Sequence, residues 1–203
     1  MLPVSSEPDT INQTPPMTDE QIDDIIAHHY QRGSRLWDIL LTHSHAVADL
    51  ADAIVDAHPE LHADAQFVHE ASLLHDIGIV MTDAPSIDCH GSLPYICHGV
   101  EGRKILDSHD LPRHALVCER HTGSGLSLDY IVAADLPLPH RDMTPQSIEE
   151  KIVCYADKFY SKSKNLTEMK SFERALRSVS KYGDESAARF LAMDALLRIP
   201  KIK

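Results

Sequence analysis

Aromatic residues are scarce, 5% of a 203-residue chain, and there are 8 glycines. Both values fit poorly with a β-sandwich, which is built from many short strands and tight turns. Basic residues are also few. Lys+Arg number 19 against 31 Asp+Glu, a formal net charge of −12. A chain this acidic does not bind duplex nucleic acid by bulk electrostatics, although a local basic groove stays open. The four cysteines, Cys89, Cys97, Cys118 and Cys154, form no Cys-x-x-Cys pair. Their irregular spacing and helical settings favour buried free thiols over a zinc site. No apolar run reaches the roughly 18 residues that a bilayer requires. No basic region followed by an apolar stretch opens the chain. These absences give the expectation of a cytoplasmic protein with reduced thiols and no membrane partner. Two quantities are ample: hydrophobic residues at 43%, enough for a core, and 14 histidines. Histidine is the commonest metal ligand and the proton carrier of neutral pH, so its excess asks for a use.

The pattern predicts an all-α domain over 18–203 behind a flexible arm, 1–17. Thr18 and Gln21 have capping-box spacing ahead of Ile22, Ile25 and Ile26. A long helix follows over about 35–57, with Leu36, Leu40, His43, Val47, Leu50 and Ile54 on one stripe. The next runs over about 63–79, with Phe67, Ala71, Leu74 and Ile77 in phase. Pro85, Gly91 and Pro94 mark 81–95 as a long loop, a length often tied to function. Helices are expected again over 96–108, 112–121, 147–160, 168–181 and 185–198, with no convincing strand.

His75-Asp76 follows two leucines in an apolar helix, where an ionisable pair is costly to bury unless coordinated or hydrogen-bonded. His43 lies on the apolar stripe of the preceding helix, and Asp157 on another apolar stripe with Ile152 and Val153. Two imidazoles and two carboxylates suit one divalent cation: imidazole favours Zn, Fe and Ni, carboxylate Mn and Mg. Taken singly, a histidine on an apolar face is usually a core residue with a satisfied N–H and an aspartate after a histidine usually a cap or solvated, and only the set on periodic helices points to a metal.

His43-Ser44-x-x-Val47-Ala48, then His75-Asp76-Ile77-Gly78, then Ala156-Asp157 resemble the HD-domain metal-dependent phosphohydrolases in their HDIG-bearing form, over about 36–162. The resemblance implies an all-helical fold with the His-Asp dyad on a central helix. It implies that His43, His75, Asp76 and Asp157 hold a divalent metal, and that the substrate is a phosphoester or phosphoanhydride. His98-Gly99-x-x-Gly102 and His121-Thr122-Gly123 resemble the extra histidines of the two-metal branch, which includes dinucleoside tetraphosphate hydrolases and, more distantly, HD-GYP cyclic dinucleotide phosphodiesterases. Carried over, His98 and His121 hold a second metal and Asp76 bridges the two. The chain departs from both named types. Ile77-Gly78-Ile79-Val80-Met81 lacks a lysine soon after the dyad, and His121-Thr122-Gly123-Ser124-Gly125 stands where a GYP motif is sought.

The expected activity is that of an enzyme, a phosphohydrolase acting on a small molecule, a nucleotide, with two divalent cations from the set Fe, Mn, Zn, Ni and Mg. Asp76 is the expected catalytic residue. Lys162, about one turn past Asp157, is the favoured phosphate-binding lysine, with a solvated surface charge as the competing reading. Arg103, His90 and Arg141 are further candidates for touching substrate, and His90 is a rival to His98 as ligand. His28, His29, His45, His58, His62, His69, His109 and His114 are expected to be solvated. A homodimer is allowed. The alternatives are a metal-retaining ligand-binding or regulatory module without turnover, and a helical scaffold with buried histidines.

Overall fold

The computed structural model describes residues 15–163 and 165–198. Most of the expected arm, Lys164 and the last five residues lie outside them. Nine α-helices are found among the described residues: α1 (Asp19–Ala27), α2 (Arg35–Ala57), α3 (Ala65–Leu74), α4 (His98–Ser108), α5 (Pro112–Arg120), α6 (Leu128–Ala133), α7 (Ile148–Asp157), α8 (Phe172–Val179) and α9 (Asp184–Leu197). The fold is all-α, as the periodicity predicts. No helix among the described residues is long and apolar enough to cross a membrane.

The start signals behave as capping chemistry requires. Thr18 and Gln21 form a reciprocal capping box on α1, and Ser34, Asp64, Ser127, Ser147 and Ser171 each accept a backbone N–H in the first turn of the helix that follows. α3 is the central helix: every residue from Glu70 to Ile79 is buried. A helix apolar all round must be packed on all sides. One core cluster joins it to α2 and α7–α9 through Val47, Ile54, Phe67, Ile152 and Phe190. A second joins it to α1, α2, α4 and α5 through Ile26, Leu40, Leu74, Ile77 and Leu106. His43, in the first half of α2, meets the C-terminal end of α3, so these two helices run antiparallel.

The structure corrects the expected helix over 63–79. α3 stops at Leu74; Asp76 has φ −107° and ψ 9°, and a 3-10 turn, Ile77–Met81, follows. The loop over 81–95 contains strands after all: β1 (Thr82–Ala84) pairs antiparallel with β2 (Cys89–His90) and parallel with β3 (Leu93–Pro94). Strands of two or three residues carry no readable period. The six-residue α6 escaped for the same reason. Met17, assigned to the arm, is tied down: its N–H donates to Glu70 Oε1 at 2.7 Å.

Glycine makes the turn after α3 possible. A Cβ on Gly78 would overlap the His98 carbonyl and the Gly102 backbone nitrogen. On Gly99 it would come within 2.6 Å of the Cys118 carbonyl, and on Gly102 within 3.1 Å of Cys118 Sγ. The His-Asp turn, α4 and α5 thus approach backbone to backbone, and α4 starts at the position its first residue, His98, needs. Gly78→Ala is expected to lower unfolding free energy by roughly 3 kcal/mol, the upper range for overpacking, because the clash is with backbone that cannot rotate away. Urea denaturation measures this; a loss under about 1 kcal/mol would show that α4 can shift freely.

Candidate metal centre

Five helices and the turn after α3 deliver six side chains to one point. His43 comes from α2, His75 caps the C-terminus of α3, Asp76 follows it, His98 opens α4, His121 caps the C-terminus of α5, and Asp157 ends α7. All six are buried, Asp76 completely. His43, His75, Asp76 and Asp157 each offer a ligand atom within 4.8 Å of the others, and Asp76, His98 and His121 do the same. Asp76 belongs to both groups and divides its oxygens between them. Oδ2 stands 3.1 Å from His75 Nε2 and 3.3 Å from His43 Nε2, whereas Oδ1 stands 3.4 Å from His121 Nε2 and 3.6 Å from His98 Nε2.

The ring orientations have a common cause. The last carbonyls of a helix lack intrahelical partners. His75 Nδ1–H donates to the Ser72 carbonyl at 2.7 Å and His121 Nδ1–H to the Cys118 carbonyl at 2.8 Å. His98 Nδ1–H donates to the Tyr95 carbonyl at 2.6 Å, a carbonyl that also accepts the His98 backbone N–H across the 3-10 turn Tyr95–Cys97. With Nδ1 protonated, each Nε2 turns its lone pair inward, the tautomer a metal ligand needs.

The centre's fit to a cation rests on its unsatisfied atoms. His75 Nε2 and both oxygens of Asp76 are buried without a properly directed hydrogen bond. Buried polar atoms left this way are costly. Ligand atoms bonded to one cation at about 2.1 Å stand roughly 3.0–3.4 Å apart, and the imidazole–carboxylate separations here run from 3.1 to 3.6 Å. The donor set, nitrogen with carboxylate oxygen, suits a borderline divalent ion.

Electrostatics agree. Burial pushes the Asp76 carboxyl up, but Lys162 and His75 outweigh it and hold it well below the usual carboxylate range. Asp157 is likewise held down, against burial, by Lys158 and Lys162. Against the opposing effect of burial, Asp76 and Asp157 raise His75 to about 9. That half of the centre therefore demands positive charge. The other half keeps neutral rings: burial and the nearby His121 lower His98 to about 3, and burial lowers His121. Lys162 Nζ lies 2.7 Å from Asp76 Oδ2 and 3.7 Å from Asp157 Oδ1.

A cavity of about 350 Å³ opens onto this cluster, lined by His98, His121, Asp157, Lys158, Lys162 and Tyr95 among others. Lys162 is therefore beside the expected site, in an ion pair and not on open surface. Three other candidates stand elsewhere. His90 is exposed on β2, 3.4 Å from Asp88 Oδ1, and does not line the cavity. Arg103 and Arg141 both pair with the buried Glu119, where they clamp α4 and the loop before α7 onto α5. Glu119 is buried, and a buried carboxylate without a charge partner is costly, so the two arginines are committed to it. His114, expected to be solvated, is buried against Glu70 Oε2 at 3.0 Å.

Sequence reasoning missed two residues at the site. Lys158 escapes because neighbours on a helix point about 100° apart, which would keep a residue next to Asp157 away from its site. α7 ends at Asp157, however, and Lys158 folds back to place Nζ 2.6 Å from Asp157 Oδ2, donating to the His121 carbonyl at 2.9 Å. Tyr95 carried no signal beyond standing three residues before His98.

The comparisons agree with the geometry. Two curated relatives are called tRNA (cytidine(56)-2'-O)-methyltransferase. That of Picrophilus torridus is 32% identical over 166 residues, 81% of this chain and 40% of the relative. That of Thermoplasma volcanium is 31% identical over 156 residues, 76% of this chain and 40% of the relative. An uncharacterised protein of Methanocaldococcus jannaschii is 37% identical over 117 residues, 56% of this chain and 62% of the relative. The chain thus spans well under half the length of the first two relatives. No solved structure matches it. The sequence model of the HD domain matches residues 40–161, a stretch that takes in all six converging side chains, and the chain belongs to the HD domain family.

Proposed function

We propose that this protein is a metal-dependent phosphohydrolase working with two divalent cations on a small phosphorylated molecule, a nucleotide. The observation that carries the reading is the division of Asp76: one buried carboxylate with Oδ2 toward two imidazoles and Oδ1 toward two others. His43, His75, Asp76 and Asp157 would hold one ion, and Asp76, His98 and His121 the other. Divalent cations in such a pair acidify water into a nucleophile and stabilise the charge that builds on phosphoryl oxygens. The residues of the chain do the rest. Lys158 braces Asp157 and the His121 carbonyl, so two ligand-bearing helix ends keep their spacing. Lys162 brings positive charge to the mouth of an otherwise acidic cluster, where a phosphate must approach. A cavity near 350 Å³ is at the small end of ligand sites, matching a mononucleotide better than a polymer.

A second reading takes the phosphoester at an RNA terminus as substrate. Only its RNA partner has support in the comparisons, from the tRNA in the name of the two methyltransferase relatives. The formal charge of −12 weighs against a long RNA backbone.

Phosphate release from nucleotides, phosphomonoesters, dinucleotides and short RNAs carrying terminal phosphates, with added Mn or Fe, tests both readings. Turnover of small nucleotides is expected. Absence of release from every compound would leave a metal-retaining binding module and overturn the hydrolase reading. Asp76→Ala is expected to remove both ions and lower turnover by more than about a thousandfold, on the order of 4 kcal/mol of transition-state stabilisation, with helical circular dichroism retained. Activity within about tenfold of wild type would end the bridging role. The double variant His98→Ala/His121→Ala is expected to lower the metal count from about two per chain to about one, with turnover collapsing. Elemental analysis reads this, and an unchanged count would refute the second ion.

A further inference from the structure

Tyr95 touches the centre in a way that its neighbours do not explain. It lies in the 3-10 turn Tyr95–Cys97 that leads into α4. Its ring stacks on the His98 imidazole, centroids 4.6 Å apart and planes 25° from parallel. Its carbonyl accepts the His98 Nδ1–H. Both contacts orient His98, and neither uses the phenol. The side chain lines the cavity together with Lys162, and the charges that act on its phenol are those of Lys162, Asp76 and Asp157. A phenol is protonated at neutral pH at its ordinary value of about 10, so the group is a neutral O–H donor.

Lys162 is the second half of the pair. Its ammonium contacts Asp76 Oδ2, an oxygen that also faces His43 and His75. Asp76 Oδ2 cannot serve the ammonium and a divalent cation fully at once. Lys162 is the partner able to move, on a flexible four-carbon stem. Its side chain keeps 15% exposure, whereas Asp76 has none. The direction open to it is the cavity, which Tyr95 also lines.

We propose that Tyr95 and Lys162 together form the phosphoryl-binding pair of this site, the Tyr95 hydroxyl donating to one phosphoryl oxygen and the Lys162 ammonium neutralising another. The assignment rests on the phosphohydrolase reading and specifies which groups of this chain meet the substrate. An O–H donor and a cation side by side match a phosphate dianion, which offers several acceptor oxygens and two charges. Tyr95 thereby has two tasks: its carbonyl and ring face fix a ligand, and its hydroxyl meets the anion.

Tyr95→Phe separates the tasks, because it keeps the stacked ring and the carbonyl. The manganese-loaded protein is titrated with inorganic phosphate by calorimetry, manganese per chain is measured by elemental analysis, and kcat and KM are determined on the best substrate of the panel. The expected result is unchanged manganese, phosphate affinity about tenfold weaker, and a fall in kcat/KM of similar size. Lys162→Met is expected to weaken phosphate binding further, with manganese retained. Phosphate affinity within twofold of wild type in Tyr95→Phe, or a loss that merely follows a loss of manganese, overturns the assignment. If wild type hydrolyses substrate while Tyr95→Phe is unaltered, only the Tyr95 assignment falls. If loaded wild type neither binds phosphate nor hydrolyses any compound, the phosphohydrolase reading falls and takes the pair with it.

Discussion

The burial of one carboxylate organises this molecule. Asp76 is wholly removed from solvent in the turn that follows α3, at the end of a run buried without a break from Glu70 to Ile79. An isolated carboxylate in that position would cost several kcal/mol or take up a proton. The chain instead surrounds it with positive or polarisable groups from separate elements: His43 on α2, His75 next to it, His98 on α4, His121 on α5 and Lys162 beyond α7. Each needs its helix to arrive at one end of the bundle. The packing of α2, α4, α5 and α7 around α3 is therefore the arrangement that keeps Asp76 ionised, and the two core clusters on either side of α3 hold it in place.

Helix ends do the positioning. Ligands mid-helix project from a surface that other side chains must then complement. A histidine at or just past a terminus has a carbonyl three residues back within reach of its Nδ1–H, and a changed backbone direction that lets Nε2 point across the bundle. His75, His98 and His121 use this device in three unrelated places. His43 is the exception; it stands within α2, makes its contact to Asp157 Oδ1 at 3.1 Å through Nε2, and leaves Nδ1 without a partner.

Much of this was legible beforehand, for identifiable reasons. Long amphipathic stretches such as α2 repeat their apolar positions often enough to fix both the helix and the face that carries His43. His75-Asp76 after Leu73-Leu74 stood out because charged groups rarely follow a fully buried run. The illegible parts depended on contacts distant in sequence. Nothing local reveals that Arg103 and Arg141 converge on Glu119, since that carboxylate is 16 and 22 residues away from them. The end of α3 at Leu74 is set by the backbone of α4 against Gly78, a constraint invisible to a period count. Lys158 was misjudged by extending helix geometry one residue past where the helix stops.

The carbonyl-anchored rings have an entropic side. A surface histidine gives up rotamer freedom when a ligand captures it, and that loss weakens binding. Here the rings of His75, His98 and His121 are already held by the fold, through bonds to carbonyls that folding itself brings into place. Whatever the centre holds, it has no need to order these three side chains on arrival. The disorder given up to assemble the imidazoles belongs to the folding reaction.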